Sequence, residues 1–206
     1  MSERAFLLPE AKRRTTDAIR SIEGQTSAEL VVGVRHQAER YAAVSVAFGA
    51  AAAALVLVVM LVSPQVYDVR TIPLDALLAF VLAGFAFHFV PSLKRLVTSK
   101  ARRRAAAERA ARAAFAALGV AKTKQRNGVL VFVALFERTA VLVADEGVPT
   151  ALLGEAYAAR VEALKRSVAS LDFEAFLATL EDFGPLLAAV LPRREDDANE
   201  LSDEVA

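Results

Sequence analysis

Apolar residues recur along this chain in three patterns, and each predicts a different element. Between Leu8 and Glu23 they come at helical spacing. Ala11, Thr15, Ala18, Ile19 and Ile22 share one face, with Pro9 suited to the first turn and Gly24 to the C′ position. Ser27 to Val34 (SAELVVGV) then reads as a strand. Gly128 to Leu135 is a nearly unbroken β-branched and aliphatic run, as in a strand buried on both faces. Phe136, Glu137 and Arg138 follow, then a second run, Thr139 to Ala144, which ends in the turn residues Asp145-Glu146-Gly147. The two runs read as a β-hairpin joined by about three residues. Helical spacing returns from Pro149 to about Ser167 through Leu152, Leu153, Ala156, Val161 and Leu164. Asp172 can cap a last helix carrying Phe173, Phe176, Leu177 and Leu180, with Gly184-Pro185 kinking or ending it.

The third pattern is continuous. Ala42 to Val62 is 21 residues without a charge. At ~1.5 Å per residue it spans roughly the 30 Å hydrocarbon core of a bilayer. Leu74 to Val90 is a second such stretch, broken only by Asp75 and His88 near its ends. A pair of buried core helices would read the same way, but a domain of this size seldom needs two wholly apolar ones. A transmembrane hairpin is therefore expected. Asp75 falls in a first turn, where the helix dipole favours a carboxylate, so neither it nor His88 marks an ion pathway. Ser45, Gly49 and Ala53 lie four residues apart on one face. Such a stripe serves either dimerisation or packing against the tethered partner helix, and the tether favours the second.

Composition sharpens the picture. A hydrophobic share of 55% and a mean hydropathy of +0.38 suit a small domain carrying a membrane hairpin. Net charge is +1, there is no cysteine, and His36 and His88 are far apart. Disulfides, thiolate chemistry and histidine zinc sites are thereby excluded or disfavoured. The N-terminus is charged and lacks a signal-peptide apolar core. Past Pro91, Lys94, Arg95, Lys100, Arg102, Arg103, Arg104, Arg109 and Arg112 decorate an alanine-rich helix running to about Leu118, ended by Gly119. No aromatic interleaving supports nucleic-acid binding; a juxtamembrane basic helix marks the cytoplasmic side and touches anionic lipid. Arg35 and Arg40 precede the first apolar segment on that same side. Both ends are thus expected in the cytoplasm of a multi-pass inner-membrane protein, with Ser63 to Pro73 outside. Arg193 to Ala206, with Glu195, Asp196, Asp197, Glu200, Asp203 and Glu204, reads as an acidic disordered tail.

Thr26 to Val32 (TSAELVV), an alanine-rich helix ending in Phe115, Asn127 to Val133 (NGVLVFV), Glu137-Arg138 and Asp145 to Val148 (DEGV) together resemble the TPM domain. That family takes its name from a thylakoid lumen protein, a photosystem II repair protein and a nematode receptor modulator. The resemblance spans roughly residues 8 to 192 with the hairpin set aside. It implies a small mixed-sheet α/β/α sandwich, acidic metal-binding surfaces in some members and an acid phosphatase activity. It is also similar to a bacterial branch with a membrane hairpin inserted after the first strand. The expected organisation is residues 1–41 and 92–192 as one split domain, 42–91 as the hairpin and 193–206 as the tail. Gly119 to Arg126 is basic here, where the family is glycine- and acid-rich.

One candidate site follows from register. A tight hairpin around Glu137 pairs residues whose numbers sum to about 273, which sets Gly128 opposite Asp145. A first strand running parallel to the Gly128 strand starts at that same end. Ser27, Glu29, Asn127 and Asp145, with Glu146 beside them, would then converge. An oxygen-only set of this kind suits calcium or magnesium. The alternative is that Asp145-Glu146-Gly147 is simply a turn and Asn127 a strand-entry residue. No activated nucleophile, phosphate-cradling loop or metalloprotease helix can be named. The sequence therefore favours an interaction or assembly module for membrane proteins over a divalent-metal-dependent phosphomonoester hydrolase, and both over a solute transporter. With no native cysteine, single cysteines at Ser2, Gln65 and Ser202 test the topology in intact cells. Only Gln65Cys should react with an impermeant thiol reagent; labelling at either terminus overturns the assignment.

Overall fold

The computed structural model describes residues 3–193, 200–201 and 205. Most of the expected acidic tail lies outside the described residues. The helices are α1 (Pro9–Glu23), α2 (Ala42–Val62), α3 (Ile72–His88), α4 (Pro91–Val97), α5 (Lys100–Ala117), α6 (Thr150–Ser170), α7 (Phe173–Glu181) and α8 (Phe183–Ala188). The strands are β1 (Glu29–Arg35), β2 (Gly128–Ala134) and β3 (Thr139–Ala144). They fall into two compact units, residues 1–39 with 104–206, and residues 40–103.

The first unit is a mixed α/β structure built on one sheet of order β1-β2-β3. β1 runs parallel to β2, from Glu29 opposite Gly128 to Arg35 opposite Ala134. β3 is antiparallel to β2, from Val129 opposite Ala144 to Ala134 opposite Thr139. Every one of these β2–β3 pairs sums to 273, the register read from the sequence. The turn is longer than expected: the four residues Leu135 to Arg138 form it, with Arg138 N–H donating to the Leu135 carbonyl at 3.2 Å. Arg138 closes it in a left-handed conformation at φ 54°.

Alternation sorts the side chains of each strand onto two faces. Leu30 and Val32 join Val129, Val131 and Val133 in a core shared with Ile19 and Ile22 of α1, Leu164 of α6, and Phe176 and Leu180 of α7. Val31, Leu130, Phe132 and Ala134 face the other way, onto Ala107, Ala111 and Ala114 of α5. Helices thus cover both faces, which is why all seven β2 residues are buried and why its sequence shows no polar alternation. The buried residues of α1 are Ala11, Thr15, Ala18, Ile19 and Ile22, the face that periodicity picks out. Phe6 sets its ring edge against Phe173 and Phe176, 5.3 and 5.4 Å between centroids, closing this core from below α7.

Three boundaries differ from the sequence reading. The basic helix is two helices, because Thr98 is extended and Ser99 starts α5 afresh, its hydroxyl accepting the Arg102 N–H at 3.3 Å. Gly24 ends α1 in a right-handed conformation rather than the left-handed cap that glycine usually supplies. The helix after Pro149 is interrupted at Gly154 (φ 53°, ψ −135°), where only glycine sits comfortably.

The second unit packs α2 on α3. A Cβ added to Gly49 would lie 2.7 Å from the Phe80 carbonyl oxygen, and Gly84 lies across from Ser45 and Gly49. The small-residue stripe serves the partner helix, as the tether argued. Phe48 stacks on Phe87 at 4.3 Å. Among the described residues α2 alone is long and apolar enough to cross a membrane, with a mean hydropathy of 2.6. The expected second span is shorter, 17 residues, and meets that standard only together with α4, from which it is bent by 102°.

Because, among the described residues, β1 finds its sheet partner only in β2, residues on both sides of the second unit must fold together. Replacing residues 42–97 by a flexible linker should leave a soluble protein that unfolds in one cooperative transition. Loop-closure entropy makes the exchange itself worth only about 1 kcal/mol. Residues 104–193 alone unfolding at the same denaturant midpoint would show that β1 adds nothing to the sheet.

Candidate functional site

The sequence places its oxygen-bearing residues where β1 and β2 begin and β3 ends, and the backbone confirms that they meet. Asp145 N–H donates to the Gly128 carbonyl at 2.9 Å, and Glu29 N–H to the Asn127 carbonyl at 3.2 Å. Ser27, Glu29, Asn127 and Asp145 are all buried there. The Glu146 side chain is not; it is 86% exposed. Asn127 uses its side chain as a clamp, with Nδ2 donating to the Ser27 carbonyl, while its own N–H donates to Thr123 Oγ1 at 3.1 Å.

Close approach explains the two glycines of this corner. A Cβ on Gly128 would lie 2.4 Å from the Val120 carbonyl oxygen, and one on Gly147 would lie 2.2 Å from that of Gln125. Gly147 N–H meanwhile donates to the Arg126 carbonyl at 2.8 Å, stitching the β3 exit to the β2 entrance. The turn chemistry of Asp145-Glu146-Gly147 is thus in service of a tight backbone crossing.

The residue that decides the chemistry is Arg126, which composition and periodicity did not single out. It sits in a left-handed conformation at φ 55°. Its Nε contacts both Asp145 carboxylate oxygens, at 3.1 and 3.0 Å, and its Nη2 reaches Oδ1 at 2.9 Å. Glu146 N–H adds a fourth donor contact to this carboxylate, meeting Oδ1 at 2.8 Å. This hydrogen bonding to Asp145, then the charges of Asp145 and Glu146, push the Arg126 guanidinium further up from its ordinary range. Glu29 is also engaged: Oε2 accepts the backbone N–H groups of Glu200 and Leu201, each at 3.3 Å. Glu200 in turn accepts the Lys124 N–H at 3.0 Å. Asp145 and Glu29 thus face N–H donors, and a cation would have to displace the guanidinium first. Among the described residues no group of three or more His, Asp or Glu side chains is placed to share an ion.

A second polar lock closes the opposite end of the sheet. Both carboxylate oxygens of buried Glu137 accept the Ala38 N–H at 3.1 Å. Phe136 N–H donates to the His36 carbonyl at 2.8 Å, and Leu135 N–H to that of Arg35 at 3.0 Å. The hairpin turn therefore holds the segment that leaves β1.

No family model matches this chain, and no curated protein matches it. Among solved structures it is similar to the NMR structure of the BA42 protein from the psychrophilic bacterium Bizionia argentinensis. The TM-score is 0.58 at 19% identity, over 100% of this chain and 97% of that one. A likeness at that identity concerns the fold alone.

Asn127→Ala leaves the buried Ser27 carbonyl without its donor and should cost about 1–3 kcal/mol of stability, read from denaturant midpoints. Gly147→Ala forces the 125–126 backbone away and should cost about as much, roughly 1–3 kcal/mol. Calcium or magnesium at millimolar level is the direct test of an ion here. A rise in wild-type unfolding temperature that is lost in Asp145→Ala establishes the site. No shift in either protein leaves the Arg126 lock as the role of these residues.

Proposed function

We propose that this chain is a membrane-anchored, TPM-like interaction module that holds or helps assemble partner membrane proteins. Its apolar helices would lie in the bilayer and its α/β unit would face the cytoplasm. The observation that carries the reading is the exposure of α2. Only 17% of its most apolar stretch is buried, whereas the core helix of a soluble domain is mostly buried. Leu55, Val58, Val59, Leu61 and Val62 present bare apolar surface along one helix, and Leu74, Leu77, Leu78, Val81 and Leu82 do so along α3. A contiguous patch of that size in water is an aggregation liability; in lipid it is the natural boundary. The sandwich-like cover of helices on both sheet faces supports the TPM-like reading of the soluble unit. Its carboxylates are held by an arginine and by backbone donors, which favours a structural and docking role over phosphomonoester hydrolysis.

Carbonate-washed membranes test the anchor. The full chain should stay with the pellet, and a version with residues 42–97 replaced by a linker should move to the supernatant. A full chain found wholly in the soluble fraction would end the membrane reading.

A further inference from the structure

β3 is an edge strand, and its outer side is open. The Asp145 N–H to Gly128 carbonyl bond fixes which residues face β2. In an antiparallel ladder bonded and non-bonded pairs alternate, so Val141 and Val143 bond to β2 while Ala140, Leu142 and Ala144 turn their N–H and C=O groups outward. Ala140 is buried and its carbonyl is approached by the Thr139 hydroxyl at 3.4 Å. Leu142 and Ala144 are partly exposed, and among the described residues no hydrogen bond reaches their outward groups. A cleft of about 540 Å³ runs along this edge, lined by Thr139 to Ala144. Its walls are Arg104, Glu108 and Arg112 of α5, and Val161, Glu162 and Lys165 of α6.

The charges on the walls are mostly spent within each wall. Arg104 pairs with Glu108 at 3.0 Å, and Lys165 with Glu162 at 2.7 Å. The Glu162 carboxyl is held below its usual range, chiefly by the Lys165 hydrogen bond, with a smaller contribution from Arg104. Among the described residues Arg112 has no such partner. The cleft therefore offers four main-chain groups in strand geometry beside one uncompensated cation. A second copy fits it poorly. Two β3 edges paired about a two-fold axis would set α5 beside α5 and add a second unpaired Arg112 to the cleft without adding a carboxylate to meet it.

We infer that the β3 edge is a docking site for an extended segment of a partner protein, which adds as a fourth strand and sets an acidic side chain against Arg112. This deepens the interaction-module reading, on which it rests, by naming the surface and the partner's chemistry. Main-chain pairing at Leu142 and Ala144 supplies binding strength, and Arg112 supplies the preference for an acidic segment.

The test uses the full chain in lipid nanodiscs and a fluorescein-labelled hexapeptide of alternating Val and Thr with one central Asp. Anisotropy should report saturable binding. Binding should weaken at least tenfold when the peptide's outward-bonding amides are N-methylated. Ala144→Pro removes an outward N–H without touching the β2 ladder, so it should keep the wild-type melting temperature and lose at least tenfold in affinity. If Ala144→Pro fails to fold, the N-methylated peptide makes the same distinction. Arg112→Ala should abolish the preference for Asp over Asn at the central position. The inference is overturned by no binding, by equal binding of the N-methylated peptide, or by an Asp preference that survives Arg112→Ala. Dimerisation lost in Ala144→Pro would assign the edge to a second copy instead. Membrane retention, measured on the same variants, reads the anchor separately.

Discussion

The parallel pairing of β1 with β2 is the interaction on which the rest of this structure depends. β1 is a seven-residue strand whose partner begins at Gly128, beyond the whole second unit. A buried strand with unpaired main-chain groups is costly, so β1 exists as a strand only because β2 reaches it. That pairing also sets the two sheet faces, and through them the positions of α1, α5, α6 and α7. The polar locks then guard its two ends. Asn127 and Glu29 hold the start, and Glu137 holds the segment that leaves β1.

Much of this arrangement could be read from residue pattern because it follows from periodicity and register. A tight hairpin joining Gly128–Leu135 to Thr139–Ala144 is enough to bring Asp145 opposite Gly128, and a first strand parallel to β2 brings Glu29 to the same end. Arg126 escaped for a physical reason. Its role comes from a left-handed backbone conformation and a contact 19 residues along the chain, and neither leaves a periodic trace. Glu137 was placed at the hairpin turn, but its contact escaped likewise, since the N–H it accepts is on the backbone of Ala38. The break at Thr98-Ser99 was masked by the leucine, lysine and arginine before it and the alanine and arginine after it, which favour helix strongly enough to hide a cap.

The same geometry that makes a stable sheet leaves one side of β3 unused. Covering both faces with helices solves the burial problem but does not close the β3 edge. At β3 the flanking walls of α5 and α6 turn the edge into a cleft, which restrains indiscriminate strand pairing while leaving a template for a chosen one. A soluble docking surface and an apolar second unit of exposed α2 and α3 then serve one purpose in the proposed reading, presenting an edge to membrane-associated partners.

Native-state hydrogen exchange at the β1 amides tests the dependence of the fold on that first pairing most directly. Val31 and Gly33 donate into β2 in this register, so their amides should exchange only through global unfolding, with the same protection and denaturant dependence as Leu130 and Phe132 in β2. Exchange of Val31 and Gly33 through local opening, while the β2 amides keep full protection, would contradict the account.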